Sequence, residues 1–232
     1  MRLDKFLANA GVGTRSEVKN LIKIGVVLVN NELIQDSGFD VDPERDVILV
    51  DESPVAYQEY VYLMLNKPKG YVSAKEDRKD PTAFSLIQGY EHRDLHLVGR
   101  LDKDTTGLLI FTDNGQLTHH LTSPKHDVGK TYHVTLDQPI DKKLIQVFKD
   151  GFSLGEKEMV KAAELNLLPN DHQVSLKIYE GKFHQVKRMF SKFGYQVLNL
   201  HREAVGELTL GNLKEGEFRE LTNIEVAKLK SL

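Results

Sequence analysis

Apolar residues recur at helical spacing in "MRLDKFLANAG", at Leu3, Phe6, Leu7 and Ala10, and again in "SEVKNLIKIG", at Val18, Leu21 and Ile22. Two short helices are expected, separated by "GVGT", with Ser16 as the N-cap of the second and Gly25 as its stop. The period then changes. "VVLVNNELI" reads as strand, Asn-Asn turn, strand, and "VDPERDVILV" adds a turn and a third strand. "DESPVAYQEY" is acidic and carries a proline, which suits a linker. The boundary is placed near residue 58, giving units 1–58 and 59–232.

From Val61 onward strands dominate. "YVYLMLNKPKGYVSA" reads as strand, Pro-Gly turn, strand, and "TAFSLI" as a helix. "LHLVGRL" and "GLLIFTD" are strands, and "NGQLTHHLTSP" is a helix ended near Pro124. "KTYHVTLD" is a strand and "DKKLIQVFKDG" a helix with a glycine stop. Two further strands, "VKAAELNLL" and "HQVSLKIYEG", precede a basic amphipathic helix, "FHQVKRMFSKFG". That helix turns Val186, Met189, Phe190 and Phe193 inward. "YQVLNLHREAVGELTL" is strand-like, and "NIEVAKLKSL" is a closing helix. Runs of strands without regular strand–helix alternation predict an α+β fold.

The chain has 232 residues, enough to bury a sizeable core in one or two domains. It has no cysteine, which excludes disulfides, thiolate nucleophiles and Cys-ligated metals. No apolar run approaches the roughly 20 residues of a membrane span, and the N-terminus does not read as a signal peptide. A cytoplasmic, membrane-free protein is expected. The net charge of −3 hides two basic islands. Residues 1–30 carry Arg2, Lys5, Arg15, Lys19 and Lys23 against Asp4 and Glu17. The stretch from Gly181 to Arg202 holds Lys182, Lys187, Arg188, Lys192 and Arg202 with no acid. Local fields of this kind suit a polyanion whatever the sum.

The candidate chemistry sits in "LHLVGRLDKDTTGLLIFTDNG", where Asp102 and Asp104 lie between two apolar runs. They fit a polar turn, with Thr105 and Thr106 capping and Gly107 supplying an unusual backbone angle. They also fit a site. "LDKDTTG" has the form of the Asp-x-Asp-x-Thr motif of Mg²⁺-dependent phosphohydrolases, but no separate acidic loop completes a hard-metal site. The histidines His92, His96, His119, His120, His126 and His133 have no carboxylate spacing that would make zinc ligands of them, and read as surface residues or as facing the polyanion.

Three segments taken together resemble the pseudouridine synthases: "GRLDKDTTGLL" their aspartate motif, "KTYHV" their tyrosine motif, and "EGKFHQVKRMF" their basic C-terminal motif. "LNKPKGYVSA" and "TSPKHDVGKTY" are similar to the branch named after RsuA, the small-subunit ribosomal RNA synthase. The first 34 residues resemble an S4 RNA-binding domain, with Asn31 where its turn commonly has glycine. The resemblance implies a small S4 domain of helices and short strands, then a catalytic domain on a long, largely antiparallel sheet. It implies isomerisation of a uridine in 16S ribosomal RNA, free or in a partly assembled small subunit, by a monomer without metal or cofactor. A large-subunit RNA synthase of the same branch and a non-catalytic S4-type RNA-binding protein are the alternatives.

By the same resemblance, Asp102 is the reacting carboxylate, Tyr132 stacks on the target base, and Lys187 is the cation paired with Asp102. A carboxylate between apolar strands needs such a partner, because burial disfavours its charge. Arg100 fills the gap left by the extruded uridine. Arg188 meets phosphate, and Arg2, Lys5, Arg15 and Lys19 hold RNA on the S4 domain. Asp104 is expected to accept backbone N–H bonds in the turn.

Overall fold

The computed structural model describes residues 1–123, 125–155 and 158–232. Pro124, the expected helix stop, lies outside the described residues. The chain divides into two compact units: Met1–Val61 with Gln88–Leu95, and Tyr62–Ile87 with His96–Leu232. Among the described residues, no helix is long and apolar enough to cross a membrane.

In the first unit, α1 (Leu3–Asn9) and α2 (Arg15–Ile24) pack with a small antiparallel sheet. Its strands are β1 (Val27–Val29), β2 (Glu32–Leu33), β3 (Ile48–Val50) and β4 (Ser53–Pro54), in the order β2-β1-β3-β4. Leu3, Phe6, Leu7, Val18 and Ile22 meet Val27, Val29 and Ile48 in the core. The cap of α2 is Thr14 rather than Ser16. Its hydroxyl accepts from Glu17 N (3.3 Å), while the Glu17 carboxylate accepts from Thr14 N (2.7 Å), so two orphan donors at the helix start are satisfied reciprocally. Asn30 and Asn31 both have positive φ, 52° and 69°. A two-residue hairpin needs that geometry at both central positions, and asparagine tolerates it, so the absent glycine is not missed.

The expected linker is partly structure. Ser53 and Pro54 pair with β3, and the Tyr57 ring stacks on Phe6 at 4.8 Å. Gln88–Leu95, which lies within 59–232, joins this unit through Arg93. Its guanidinium donates to the Asn9 carbonyl (2.8 Å) and the Gln58 carbonyl (2.7 Å).

The second unit is built on a nine-stranded sheet. In chain order it contains β5 (Tyr62–Lys67), β6 (His96–Val98), β7 (Thr106–Thr112), α3 (Gly115–Thr122), β8 (Lys130–Leu136) and α4 (Leu144–Asp150). A separate hairpin follows, β9 (Phe152–Gly155) with β10 (Glu158–Val160), then β11 (Glu164–Leu167), β12 (Gln173–Ile178) and α5 (Gln185–Ser191). The chain finishes with β13 (Val197–Val205), β14 (Leu208–Thr209), β15 (Phe218–Glu220) and α6 (Asn223–Lys230). The main path is β11-β12-β8-β13-β7-β5-β15, with β14 on β13 and β6 on β7. Every pairing is antiparallel except β13 with β7.

β5 and β7 are buried at almost every position, which explains their unbroken apolar runs, whereas β8 and β12 alternate. Phe148 of α4 packs on Phe190 of α5 (5.2 Å between centroids), and Phe152 on Phe193 (5.0 Å). "TAFSLI" forms only a 3-10 turn, Ala83–Leu86. The strand expected after "NKPKG" is reduced to one bridge, Val72 with Thr82. The cause is Lys67. Its buried ammonium takes the Pro68 (3.0 Å) and Tyr71 (2.7 Å) carbonyls, curling the turn around itself.

Candidate active site

Asp102 lies in the turn between β6 and β7. The turn closes on itself through Thr105 N to the Asp102 carbonyl (3.1 Å). It is held from outside by the segment after β5. The Ser73 hydroxyl donates to the Leu101 carbonyl (2.7 Å) and accepts from Leu101 N (3.0 Å), and Gly70 N donates to the Lys103 carbonyl (2.8 Å). The Lys67 ammonium reaches that same carbonyl at 3.4 Å. Burial pushes the Lys67 ammonium down to about 8, against the opposing pull of Asp104, Asp102 and Glu215. A strand-end lysine therefore anchors the loop that presents the carboxylates.

α5 brings the cation. Lys187 Nζ lies 3.3 Å from Asp102 Oδ2 and 2.5 Å from Asp104 Oδ1. Asp104 thus differs from a turn residue that merely accepts backbone N–H bonds: it is the nearer of two carboxylates sharing one ammonium. Burial raises the Asp104 carboxyl, but the hydrogen bond and charge of Lys187 together outweigh it, so the group sits below its usual range. Asp102 is half-buried rather than buried, with 31% of its side chain exposed. His184 approaches it from the other side, with Nε2 3.5 Å from Asp102 Oδ1.

A small cavity of about 90 Å³ is lined by Asp102, Tyr132, Thr105, Arg100, His184 and Gln185, among others. A wider cleft of about 530 Å³ shares Arg100, Asp102 and His184 with it and adds Phe183 and Lys103. Asp104 lines neither. Tyr132 is buried on β8, where its register places it opposite Arg202 of β13 and Leu176 of β12. Arg100 is exposed at the rim and makes no ion pair among the described residues. Arg188 does not join this group. It is held by Glu158, with Nη1 3.0 Å from Oε1 and Nη2 against Oε2.

The four cations expected to hold RNA, Arg2, Lys5, Arg15 and Lys19, are exposed. Arg2 donates to both oxygens of the buried Asp4 (3.1 and 2.8 Å), and Lys19 lies 3.9 Å from the same carboxylate. Lys5 and Arg15 project from the starts of α1 and α2.

His184 and Lys67 went unseen in sequence. The six histidines weighed as metal ligands did not include His184, which sits directly before α5 in "KFHQVKRM". Its adjacency to a basic helix was the available signal. Lys67 ends an apolar strand at "LNKPKG", and no local pattern there marks its ammonium as buried.

A mixed sheet presenting a loop aspartate to a lysine on α5, beside a buried tyrosine, defines a class that comparison with known proteins identifies. The RNA pseudouridylate synthase family model matches residues 61–192 and the S4 domain model residues 1–48. The chain belongs to the RNA pseudouridylate synthases, which are isomerases acting on RNA, and carries an S4 domain at its N-terminus. Among its relatives is ribosomal small subunit pseudouridine synthase A of Haemophilus influenzae, 43% identical over 99% of both chains. The enzyme of the same name from Escherichia coli K12 is 42% identical, over 99% of this chain and all of that one. A crystal structure of a pseudouridylate synthase superposes with a TM-score of 0.70 at 40% identity, covering 99% of each chain.

Proposed function

We propose that the chain converts one uridine of 16S ribosomal RNA to pseudouridine, with Asp102 as the reacting carboxylate. The observation that carries this reading is the placement of Asp102 alone of the two acids in the cavity with Tyr132, its carboxylate 3.3 Å from Lys187. The assignment of the substrate draws on the small-subunit enzymes that the chain resembles along almost its whole length.

The reaction breaks N1–C1′, turns the base and joins C5 to C1′. The C5 proton leaves and N1 gains one, so no electrons are exchanged with a partner. A carboxylate is needed beside the ribose, to add to C1′ or to remove the C2′ proton. Asp102 supplies it, and the Lys187 ammonium is its counter-charge. The Tyr132 ring stacks on the extruded base, and its hydroxyl assists loss of the C5 proton. Arg100 occupies the gap left in the RNA, offsetting part of the few kcal/mol that extrusion costs. Arg188, once released from Glu158, and Arg2, Lys5, Arg15 and Lys19 contact phosphates, which position the RNA while the cavity selects the base. The enzyme acts as a monomer on free RNA or a partly assembled small subunit.

The test is tritium release from 16S RNA transcribed with 5-tritiated uridine, with the modified position mapped. Asp102→Asn keeps the shape and should bind RNA while releasing no tritium. Asp104→Asn should keep substantial activity. Full activity in the first, or loss only in the second, reverses the assignment.

A further inference from the structure

We infer that Phe183, backed by His184, is a stacking platform for a nucleobase neighbouring the target uridine in the same RNA strand. The inference rests on the reading of Asp102 as the reacting carboxylate, because it uses the distance from that residue.

Phe183 is the most exposed of the large hydrophobic residues, at 75%, although the helix it precedes buries Val186, Met189 and Phe190. A lone exposed apolar residue needs no explanation. This one is not lone. Its ring lies on the His184 imidazole, with centroids 3.8 Å apart and planes 17° from parallel. One face of the phenyl ring is covered, and its exposure leaves the other to solvent. The backbone is bent to achieve this: His184 has φ 46°, a left-handed conformation that a side chain with a Cβ adopts at a cost. The turn is braced on both sides. Arg188 Nη1 donates to the Phe183 carbonyl (3.3 Å), and the buried Gln185 accepts from Lys182 N (2.9 Å).

Phe183 and His184 line the wider cleft together with Asp102, Arg100, Lys103 and Lys182. The pair is one residue from the reaction centre, since His184 Nε2 is 3.5 Å from Asp102. A flat aromatic face among cations, beside a site that takes one base out of its stack, suits an adjacent unpaired base. Every base has a π-face, and the cations meet its phosphates.

The experiment compares Phe183→Ala, Phe183→Leu and Phe183→Trp with the parent full-length chain on a tritiated 16S RNA transcript, reading kcat/KM by tritium release and Kd by equilibrium binding. Melting temperatures confirm that each variant folds, which is expected because the residue is exposed. Stacking predicts that Trp retains parental kcat/KM. Leu and Ala should lose it together, by about tenfold to a hundredfold, with Kd rising in the same order. Leu as active as Phe, or Ala unchanged, overturns the platform. Asp102→Asn is run on the same transcript. If it is inactive while Phe183→Ala is unimpaired, only the platform falls; if it turns over normally, the parent reading falls. Should the transcript not be turned over at all, the order of Kd values still decides the platform.

Discussion

Gly107→Ala adds a single methyl group at the seam between β7 and β13. At Gly107 the backbone has φ 105°, and an added Cβ would lie 2.3 Å from the Arg202 carbonyl oxygen, 2.7 Å from its N and 2.9 Å from its carbonyl carbon. All three are backbone atoms of the paired strand, so no side chain can swing away. The conformational penalty alone is roughly 1–3 kcal/mol for a non-glycine residue in such a region. Relieving the clash requires β13 to back off by about 1 Å, which stretches the short parallel ladder, His201 with Thr106 and Arg202 with Gly107. Each buried backbone group left without a partner costs roughly 1–3 kcal/mol more. The sum is roughly 4 kcal/mol or more, a large share of the roughly 5–15 kcal/mol that holds most domains folded. Gly70→Ala is the control: its φ is 94°, yet nothing lies within 4 Å of the added Cβ, so it carries the conformational penalty alone. The excess of roughly 3 kcal/mol should lower the melting temperature of Gly107→Ala by about 6–12 °C more than Gly70→Ala, read by calorimetry. Tyr132 pairs with Arg202 on the far side of β13, so surviving protein should also lose activity. Equal melting temperatures for the two variants would refute the close approach.

Lys187→Met removes the ammonium that Asp102 and Asp104 share; tritium release should fall at least tenfold with RNA binding retained, and an unchanged rate would deny Lys187 its role. Lys67 is expected to shape stability at alkaline pH. Its folded value of about 8 lies below the 10.5 of the free side chain, so between those values the unfolded chain binds more protons and stability rises with pH. The gain is roughly 3 kcal/mol across that window, and denaturation titrations of Lys67→Met should lack it. Reversing Lys5 and Arg15 to glutamate should weaken RNA binding and reduce the slope of log affinity against log salt by about one for each phosphate no longer neutralised. An unchanged slope would place the RNA elsewhere.

Helices and strands of the second unit were legible because β5 and β7 are buried on both faces, while β12 alternates and β8 does so from Thr131 onward. The pairing of Asp102 with Lys187 was legible only through family motifs, since 85 residues of chain separate them and no local period links them. What escaped was decided by tertiary contacts. The segment after Lys67 has strand composition, but a buried ammonium claims its carbonyls. Asp104 sits among turn residues, yet its nearest charged partner comes from a helix far along the chain. The choice of Thr14 over Ser16 as the cap turned on Glu17, which stands three residues after Thr14 and completes the reciprocal pair.

The order of strands carries a consequence for synthesis. β7 and β8 are successive strands of the sheet's two halves, yet they are not neighbours; β13 lies between them. A ribosome making this chain releases residues 106–136 long before Val197–Val205 exists, so the nascent chain holds two part-sheets, with the β8 edge and the Thr106–Gly107 end of the β7 edge unpaired. Their closure waits for β13 to insert, and contacts so distant in sequence form slowly. Until then those edges carry unpaired backbone groups that can pair with other chains, so the interval before residue 205 emerges is one of exposure to aggregation.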